Sequence, residues 1–327
     1  MWRMLASLAL VLLAACSGPD AERRADPGPS PSASSPGDTT ASATPRGGTT
    51  VTPEPPEVRP RAFDEEAAYA VVRHLAGTIG PRPGTSPAYT RAADWVAGEM
   101  RQLGYRVSRQ RFPTPGGVSW GVPVPAGESV NVVATPPGFD PTEPHLVVGA
   151  HLDTVPQAPG AEDNASGVGV VLAAATAAAE SRTRLPVAWV AFGSEEPRGE
   201  TDDDHHYGSR AYVAAMGPAE RRALRGMVSL DRVGVGATVP VGSAGDTDPV
   251  QRELLDAARR AGVPAYGDPF QRSSDHWSFV RAGLPGARLG STSYAAYHSP
   301  ADRPAVVNRA QLQRTGRLLL AWLAPRP

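Results

Sequence analysis

Short apolar runs alternate with longer helical segments through the second half of this 327-residue chain. A short apolar run between helices is typical of a strand buried on both faces, and strands in this order usually pair in parallel. The runs lie at residues 145–150, 186–192, 226–230 and 285–289, and the helical segments at 165–181, about 208–215, 249–261 and 310–323. The alternation predicts an α/β domain with helices on both faces of one sheet.

The preceding segment adds two helices and two further strands to this pattern. Residues 64–78 and 88–103 have apolar residues at helical spacing, residues 105–112 alternate like a strand, and residues 129–134 form another apolar strand-like run. We therefore expect residues 61–327 to form a single three-layer α/β/α domain. Its sheet should be mixed and parallel at the centre.

The first fifteen residues have the character of an export signal. Arg3 gives a positive start, and the uncharged apolar run from Met4 to Ala15 is too short to span a bilayer comfortably. The run ends in Leu13-Ala14-Ala15-Cys16, which resembles the bacterial lipobox. That resemblance implies removal of residues 1–15 and a diacylglyceryl group on Cys16, whose two acyl chains would anchor the exported protein to the outer face of the cell membrane. The alternative is an ordinary signal peptide with a chance cysteine.

Residues 16–60 are predicted to form a disordered tether behind the lipidated cysteine. Residues 17–60 contain ten prolines in 44 positions and almost no large apolar side chains. Such a segment cannot bury enough apolar surface to offset the entropy lost on ordering. The folded domain is therefore expected to begin near residue 61.

Charge and composition exclude several classes of function. The chain has 32 basic and 33 acidic residues, so it lacks the positive surplus that binds nucleic acid, and we expect no nucleic-acid partner. All the basic residues are arginine, which excludes a lysine Schiff base or a P-loop lysine. Cys16 is the single cysteine, which excludes an intramolecular disulfide and a multi-cysteine metal site.

Acidic and histidine side chains follow each of the predicted parallel strands. His151 and Asp153 follow the first run, Glu195 and Glu196 the second, Asp231 the third, and a loop with Tyr297 and His298 follows the last, while Asp163 opens the helix after the first run. Ligands bind beyond the carboxyl ends of strands in open α/β sheets. The sequence therefore predicts one site at this edge.

Histidine and carboxylate together are the ligands expected of zinc, or less selectively of manganese or cobalt. The candidate ligands are His151, Asp163, Glu196, Asp231 and His298. Five ligands are too many for one tetrahedral zinc, but they suit two metal ions if one carboxylate bridges them. Each residue alone also has an ordinary structural interpretation, such as a surface pair, a helix cap or a turn. Their joint occurrence at successive strand ends favours the two-metal site.

These motifs resemble the co-catalytic two-zinc aminopeptidases of metallopeptidase clan MH, family 28. That family includes secreted bacterial aminopeptidases, glutamate carboxypeptidases and glutaminyl cyclases. The resemblance covers essentially all of residues 61–327, and it also includes Arg82-Pro83-Gly84-Thr85, Asn131-Val132-Val133, Gly208-Ser209-Arg210-Ala211-Tyr212 and Ser274-Asp275-His276. It implies the zinc aminopeptidase fold.

The resemblance also implies a division of the ligands between two zinc ions. His151, Asp163 and Asp231 would hold one ion. Asp163, Glu196 and His298 would hold the other, with Asp163 as the bridge.

Three further residues take catalytic roles by the same resemblance. Glu195 would be the general base, and Tyr297 would donate to the developing oxyanion. Asp153 would accept a hydrogen bond from the far nitrogen of His151, as metal-bound histidines usually require. The peptide bond between Asp163 and Asn164 is expected to be cis.

Two departures from the family pattern stand out. Residues 197–207, including Asp202-Asp203-Asp204-His205-His206, intervene where the family reaches its Gly-Ser segment quickly. A solvated acidic loop is the simpler interpretation, and a lid, an extra metal site or a substrate-selecting loop are the alternatives. Arg232 stands where the family is commonly apolar, next to Asp231.

The expected function is that of a lipid-anchored, extracytoplasmic zinc aminopeptidase that hydrolyses the N-terminal bond of peptides through a metal-bridged hydroxide. A glutaminyl cyclase would use one zinc and leave His151 and Asp231 without a second metal. A carboxypeptidase would need basic residues for the substrate carboxylate, and Arg272 or Arg210 could serve. A non-catalytic surface binding protein is the alternative from another class, although it would have no use for Glu195.

Overall fold

The computed structural model describes residues 62–325. The predicted signal segment 1–15, Cys16 and the tether 16–60 lie outside the described residues, so those expectations stay predictions. Among the described residues, no helix is long and apolar enough to cross a membrane.

The described chain alternates helices and strands in the order that the sequence predicts. The α-helices are α1 Glu65–Val72, α2 Pro87–Gln102, α3 Ser166–Ala179, α4 Tyr207–Ala215, α5 Pro218–Ala223, α6 Pro249–Ala261, α7 His276–Val280 and α8 Arg309–Leu323. The strands are β1 Arg106–Thr114, β2 Gly117–Ser119, β3 Val122–Val124, β4 Gly127–Thr135, β5 His145–His151, β6 Val187–Phe192, β7 Leu224–Asp231, β8 Val239–Gly242, β9 Ala265–Asp268 and β10 Gly286–Gly290. Helix α1 continues as a π-helix over Arg73–Ile79, so the first predicted helix is two helical forms in series.

The strands within residues 62–325 form one eight-stranded sheet and a separate β2–β3 hairpin. The sheet order is β1-β4-β6-β5-β7-β10-β8-β9. The four central strands are parallel, while β4 joins β6 and β8 joins β10 in antiparallel fashion. The predicted mixed, centrally parallel sheet is thus confirmed. Strand β5 has β6 on one side and β7 on the other, so the chain switches direction across the sheet at the end of β5.

Helices cover both faces of this sheet, which gives the predicted three layers. Alternate residues of β6 illustrate the division. Trp189 belongs to the large core beneath α1, α2, α3, α6 and α8, whereas Val190 and Phe192 pack with Tyr212 of α4 and Phe279 of α7 on the other face. Every residue of β5 and β6 is buried, as expected of strands covered on both sides.

Local capping explains why several helix bounds could be predicted closely. Helix α6 begins after Asp248, whose side chain accepts from the Val250 amide, and it ends at Gly262 in the left-handed conformation. The sequence predicted this helix over the same residues. The β2–β3 hairpin, β8 and β9 were not predicted, because three or four residues carry too little pattern.

Two helical glycines differ in the space around them, and this difference predicts opposite effects on stability. A Cβ on Gly316 of α8 would lie 2.2 Å from the Phe63 ring, whereas one on Gly98 of α2 would meet nothing within 4 Å. Gly316→Ala should destabilise the fold by about 1–3 kcal/mol through overpacking. Gly98→Ala should stabilise it by about 0.5–1 kcal/mol, because alanine loses less entropy in a helix. Urea unfolding of both variants measures the two changes, and equal effects would contradict this packing.

Candidate metal centre

The carboxyl ends of three neighbouring parallel strands bring most of the predicted site residues together. His151 ends β5, Asp231 ends β7, and Glu195 and Glu196 follow β6 after a short turn. His298 comes from the loop after β10, the next strand along. All of these side chains are buried. The sheet order therefore explains why residues far apart in sequence meet at one edge.

Asp163 reaches the same place from a short segment ahead of α3. Its peptide bond to Asn164 is cis, as the family resemblance implies. The Asp302 carboxylate accepts hydrogen bonds from the backbone amides of Glu162 and Asp163, at 2.8 and 3.1 Å. The Asn164 side chain donates to the carbonyl of Leu230 at 2.8 Å. These bonds fix the Asp163 backbone against β7.

The Asp163 carboxylate lies between two histidines. Its Oδ1 is 3.1 Å from His151 Nε2, and its Oδ2 is 3.0 Å from His298 Nε2. Asp231 Oδ1 lies 3.8 Å from His151 Nε2, and Glu196 Oε2 lies 3.4 Å from His298 Nε2. One carboxylate oxygen thus faces each half of the cluster, which is the arrangement a bridging ligand requires.

The described chain contains two groups of potential metal ligands, and within each group the ligand atoms all lie within 4.8 Å of one another. One group is His151, Glu195 and Asp231, and the other is His151, Asp163 and Glu196. The first differs from the predicted set because Glu195 stands where Asp163 was expected, and the second differs because His151 stands where His298 was expected. Proximity alone therefore does not separate Glu195 as base from Glu195 as ligand.

Unpartnered polar atoms indicate that this donor set fits a cation. In the described part of the chain, Glu196 Oε1 and Asp231 Oδ1 are buried without a hydrogen-bond partner, although Asp231 Oδ1 also lies within ion-pair distance of Arg232. Buried polar atoms are nearly always paired, and carboxylates and imidazoles are ligands of zinc. The residues present thus fit a divalent metal pair.

Electrostatics in the cluster reflect the crowding of buried carboxylates. Burial, with the negative charge of Asp163, raises the pKa of Glu196 to about 8. Burial also raises the pKa of Glu195 to about 8, against the opposing effect of His151. Burial opposes ionisation of Asp163, but hydrogen bonds from His151 and His298 hold its pKa well below the usual range. Cation binding at such a cluster displaces protons.

The expected bond from the Asp153 carboxylate to His151 is wrong in the structure. His151 Nδ1 lies 3.2 Å from the backbone carbonyl of Asp153 and 3.8 Å from its Oδ1. The Asp153 carboxylate instead accepts from the backbone amides of Glu195 and Glu196, at 3.0 and 3.2 Å. Asp153 still orients His151, through its main chain, while its side chain holds the turn that carries both glutamates.

Tyr297 and Arg232 lie together over the cluster. The Tyr297 ring stacks on His298 with centroids 3.7 Å apart, and the Arg232 guanidinium lies 4.6 Å from the Tyr297 ring centre. Arg232 Nε is 3.4 Å from Asp231 Oδ1. Arginine at this position therefore pairs with a predicted ligand.

A cavity of about 420 Å³ opens over these residues. The cluster forms its floor, and Trp120 and Gly121 of the β2–β3 hairpin form part of its wall together with Pro197 and Glu200. A substrate in this cavity would contact the cluster directly.

Comparison with known proteins places this geometry in a family. Residues 131–323, more than half of the chain, match the description "Peptidase family M28". The chain belongs to peptidase family M28.

Curated relatives of this M28 chain include several enzymes. It is 29% identical to Leupeptin-inactivating enzyme 1 of Streptomyces exfoliatus, over 80% of this chain and 60% of the relative. It is 29% identical to the probable lipoprotein aminopeptidase LpqL of Mycobacterium tuberculosis, over 72% of this chain and 49% of that protein. The chain thus spans about half to three fifths of the length of these relatives.

Solved structures support the fold of this M28 chain. The zinc aminopeptidase BSAP of Bacillus subtilis matches with a TM-score of 0.72 at 19% identity, covering 81% of this chain and 96% of BSAP. A glutaminyl cyclase of Bacteroides thetaiotaomicron matches with a TM-score of 0.71 at 18% identity, covering 82% of this chain and all of that one (100%). The predicted zinc aminopeptidase fold is confirmed, and the fold alone does not separate the two activities.

Sequence reasoning missed three buried residues of this M28 site. Asp302 supports Asp163, and the Glu162 carboxylate accepts from the Gly234 amide at 2.9 Å behind the cluster. Glu162 directly precedes Asp163, and Asp302 lies four residues after His298, so the acidic residues next to these predicted ligands could have been identified in the sequence. His206 is buried against Glu195, although the segment 197–207 was expected to be a solvated acidic loop. That expectation holds for the exposed Asp202, and it is wrong for His206.

Proposed function

We propose that this protein is a lipid-anchored, extracytoplasmic aminopeptidase with two zinc ions. The observation that carries the proposal is the Asp163 carboxylate, which directs one oxygen to His151 and the other to His298 at nearly equal distances. Asp231 would complete the first zinc site and Glu196 the second. Manganese or cobalt would suit the same donors.

Bound zinc would polarise the scissile carbonyl and lower the pKa of a water molecule. The protein's own residues supply the rest of the chemistry. Glu195 takes the proton from the attacking water and passes it to the leaving amine. Partial burial and the charge of Asp163 raise the pKa of Tyr297, so its hydroxyl stays protonated and can donate to the oxyanion.

The substrate amine would bind beside the acidic floor of the cavity. A carboxypeptidase instead needs a cation for the terminal carboxylate. Arg210 and Arg272 do not line the cavity, whereas Arg232 does but is paired with Asp231 and lies over Tyr297. The cavity lining thus offers no unpaired arginine to a terminal carboxylate, which disfavours a carboxypeptidase. The approach of Asp231 Oδ1 to His151 Nε2, at 3.8 Å, favours a second metal, which a glutaminyl cyclase would leave unused.

Four substrates of the zinc-loaded protein separate these activities. Leucyl anilide reports aminopeptidase activity, and its N-acetylated form shows whether the free amine is needed. A glutaminyl peptide reports cyclisation, and an N-acetylated peptide with a free C-terminus reports carboxypeptidase activity. We expect hydrolysis of leucyl anilide, with no cleavage of the two acetylated substrates and no cyclisation of the glutaminyl peptide. Release of a C-terminal residue from an N-acetylated peptide would instead establish a carboxypeptidase.

The adjacent glutamates provide a matched test of base against ligand. Glu195→Gln cannot accept a proton, so its kcat should fall by about 10²–10⁴ while both zinc ions remain bound. Glu196→Gln removes an anionic ligand, so zinc at that position should be lost together with activity. Elemental analysis gives the zinc content of both variants, and steady-state kinetics gives their kcat. If Glu195→Gln loses zinc while Glu196→Gln keeps it, the roles of base and ligand are reversed.

The cavity wall supports an apolar side chain in the substrate. The large apolar side chains most exposed in the described residues are Val118, Trp120, Tyr266, Phe270 and Tyr297. Val118, Trp120 and Tyr297 line this cavity. Trp120 lies edge-on to His298, with ring centroids 4.3 Å apart, and sits in the tight turn of the β2–β3 hairpin. Exposed apolar surface beside a polar cluster is typical of a ligand site.

Trp120→Ala should therefore reduce selectivity for large apolar residues. The kcat/KM for leucyl anilide should fall about 10-fold relative to alanyl anilide, since burial of a leucine side chain contributes about 1.5–3 kcal/mol. Tyr266→Ala is the control, because Tyr266 is similarly exposed, at 49% against 54% for Trp120, and lies outside the cavity. An equal fall in kcat/KM for both anilides would show that Trp120 stabilises the site without contributing to substrate selectivity.

Anchoring rests on Cys16 and on the similarity to the lipoprotein relative LpqL. Cys16→Ser removes the sulfur to which the lipid attaches, so the protein should move from the membrane fraction to the soluble fraction. Labelling with a fatty-acid analogue in bacterial cells measures the modification directly. A wild-type protein that takes up no label would show that Cys16 is incidental.

A further inference from the structure

The segment 197–207, referred to below as the insertion, delivers a histidine to the proposed general base. Its exposed part includes Asp202 and Asp203, but its last histidine turns inward, so that His206 is 5% exposed. His206 Nε2 lies 3.2 Å from Glu195 Oε1. Within residues 62–325, this nitrogen makes no aligned hydrogen bond, and the Glu195 carboxylate is the acidic group in ion-pair contact with it.

The backbone ties His206 to the turn that carries Glu195. The His206 amide donates to the Glu195 carbonyl, and the Tyr207 amide donates to the Ser194 carbonyl, both at 2.9 Å. His206 has a φ of 57°, a left-handed conformation that is costly for a residue other than glycine. Such conformations persist only where the surroundings impose them, and they concentrate at functional sites.

The rest of the insertion is held rigidly enough to place this ring. The Arg198 guanidinium donates to the carbonyls of Pro115 and Pro125, each at 2.9 Å. Its backbone amide donates to the Asp204 carbonyl at 2.9 Å, which closes the loop on itself. Arg281, at the C-terminal end of α7, donates to the Asp203 carboxylate at 2.9 Å. Both arms of the insertion are thus fixed to the domain.

We propose that His206 is a positioning residue for Glu195, resting on the proposed role of Glu195 as general base. Donation from His206 Nε2 to Oε1 would fix the rotamer of the carboxylate and leave Oε2 directed to the attacking water. Hydrogen bonds at catalytic groups commonly tighten when substrate binds, so a separation of 3.2 Å is within the working range. Orientation of this kind contributes to kcat, because a misplaced base reacts slowly even when substrate binds normally.

The kinetic test uses the zinc-loaded enzyme and two substitutions at His206. His206→Leu removes the donor, and kcat should fall about 10–100-fold with KM and zinc content unchanged. His206→Gln restores an N–H donor and should recover most of kcat. His74→Leu makes the same substitution outside the cavity, where the His74 ring packs against Trp95, and should leave kcat unchanged.

A double-mutant cycle decides whether the effect passes through Glu195. In a Glu195→Gln background, His206→Leu should cause no further loss, because residues that act as a unit are not additive. A full additional loss would show that His206 acts elsewhere. Loss of zinc from His206→Leu would make it a ligand or a structural residue, and unchanged kcat would remove it from the reaction.

A measurement independent of catalysis keeps this proposal separate from the proposed function. Nitrogen-15 NMR of histidine-labelled protein reports the protonated Nε2 of His206 and its acceptor. The resonance should move on Glu195→Gln and stay in place on Asp202→Asn. If the wild type cleaves no peptide, the proposed function fails, while this resonance still decides whether His206 engages Glu195. An Nε2 signal insensitive to Glu195→Gln overturns the contact.

Discussion

The burial of four carboxylates beside one another is the constraint on which the site depends. Asp163, Glu195, Glu196 and Asp231 meet at one sheet edge, where water can neutralise little of their charge. Isolated buried carboxylates would cost several kcal/mol each, and in practice they take up protons instead. Burial first, and the charges of the neighbouring carboxylates second, raise the pKa values of Glu195 and Glu196. A pair of divalent cations would remove the repulsion and would provide a partner for Glu196 Oε1, which has no hydrogen bond among the described residues.

The fold maintains this unfavourable cluster with backbone hydrogen bonds from behind. Asp302 fixes the amides ahead of Asp163, and the Asp153 carboxylate fixes the amides of Glu195 and Glu196. Each supporting carboxylate is fully or almost fully buried, and each binds main chain rather than a neighbouring acid. The cluster is consequently preorganised, so little reorganisation is needed when a cation or substrate enters.

Parallel pairing explains why so much of this site could be predicted from sequence. The carboxyl ends of β5, β6 and β7 lie side by side, so a polar residue after each apolar run must reach the same edge. The direction of an individual side chain depends on the turn that follows the strand, and sequence spacing does not specify it. Asp153 illustrates the difference, because the family resemblance implied that its carboxylate faces His151, yet the turn directs it toward the amides of the glutamates. The burial of His206 could not be predicted for a related reason. An acidic segment is normally solvent-exposed, and the sequence does not show that His206 takes the left-handed backbone conformation found here.

The β2–β3 hairpin and the insertion, which both border the cavity, are in direct contact. The amide of Val118 in the hairpin donates to the Arg198 carbonyl of the insertion at 3.1 Å, and a Cβ on Gly117 would lie only 1.9 Å from that oxygen. Glycine at 117 is therefore required for the contact, since any side chain would push the hairpin away from the insertion. The wall that carries Trp120 and the loop that carries His206 consequently form one unit. A change that displaces the wall should also displace the imidazole beside Glu195, so the proposed substrate selectivity and the proposed positioning of the base are expected to vary together.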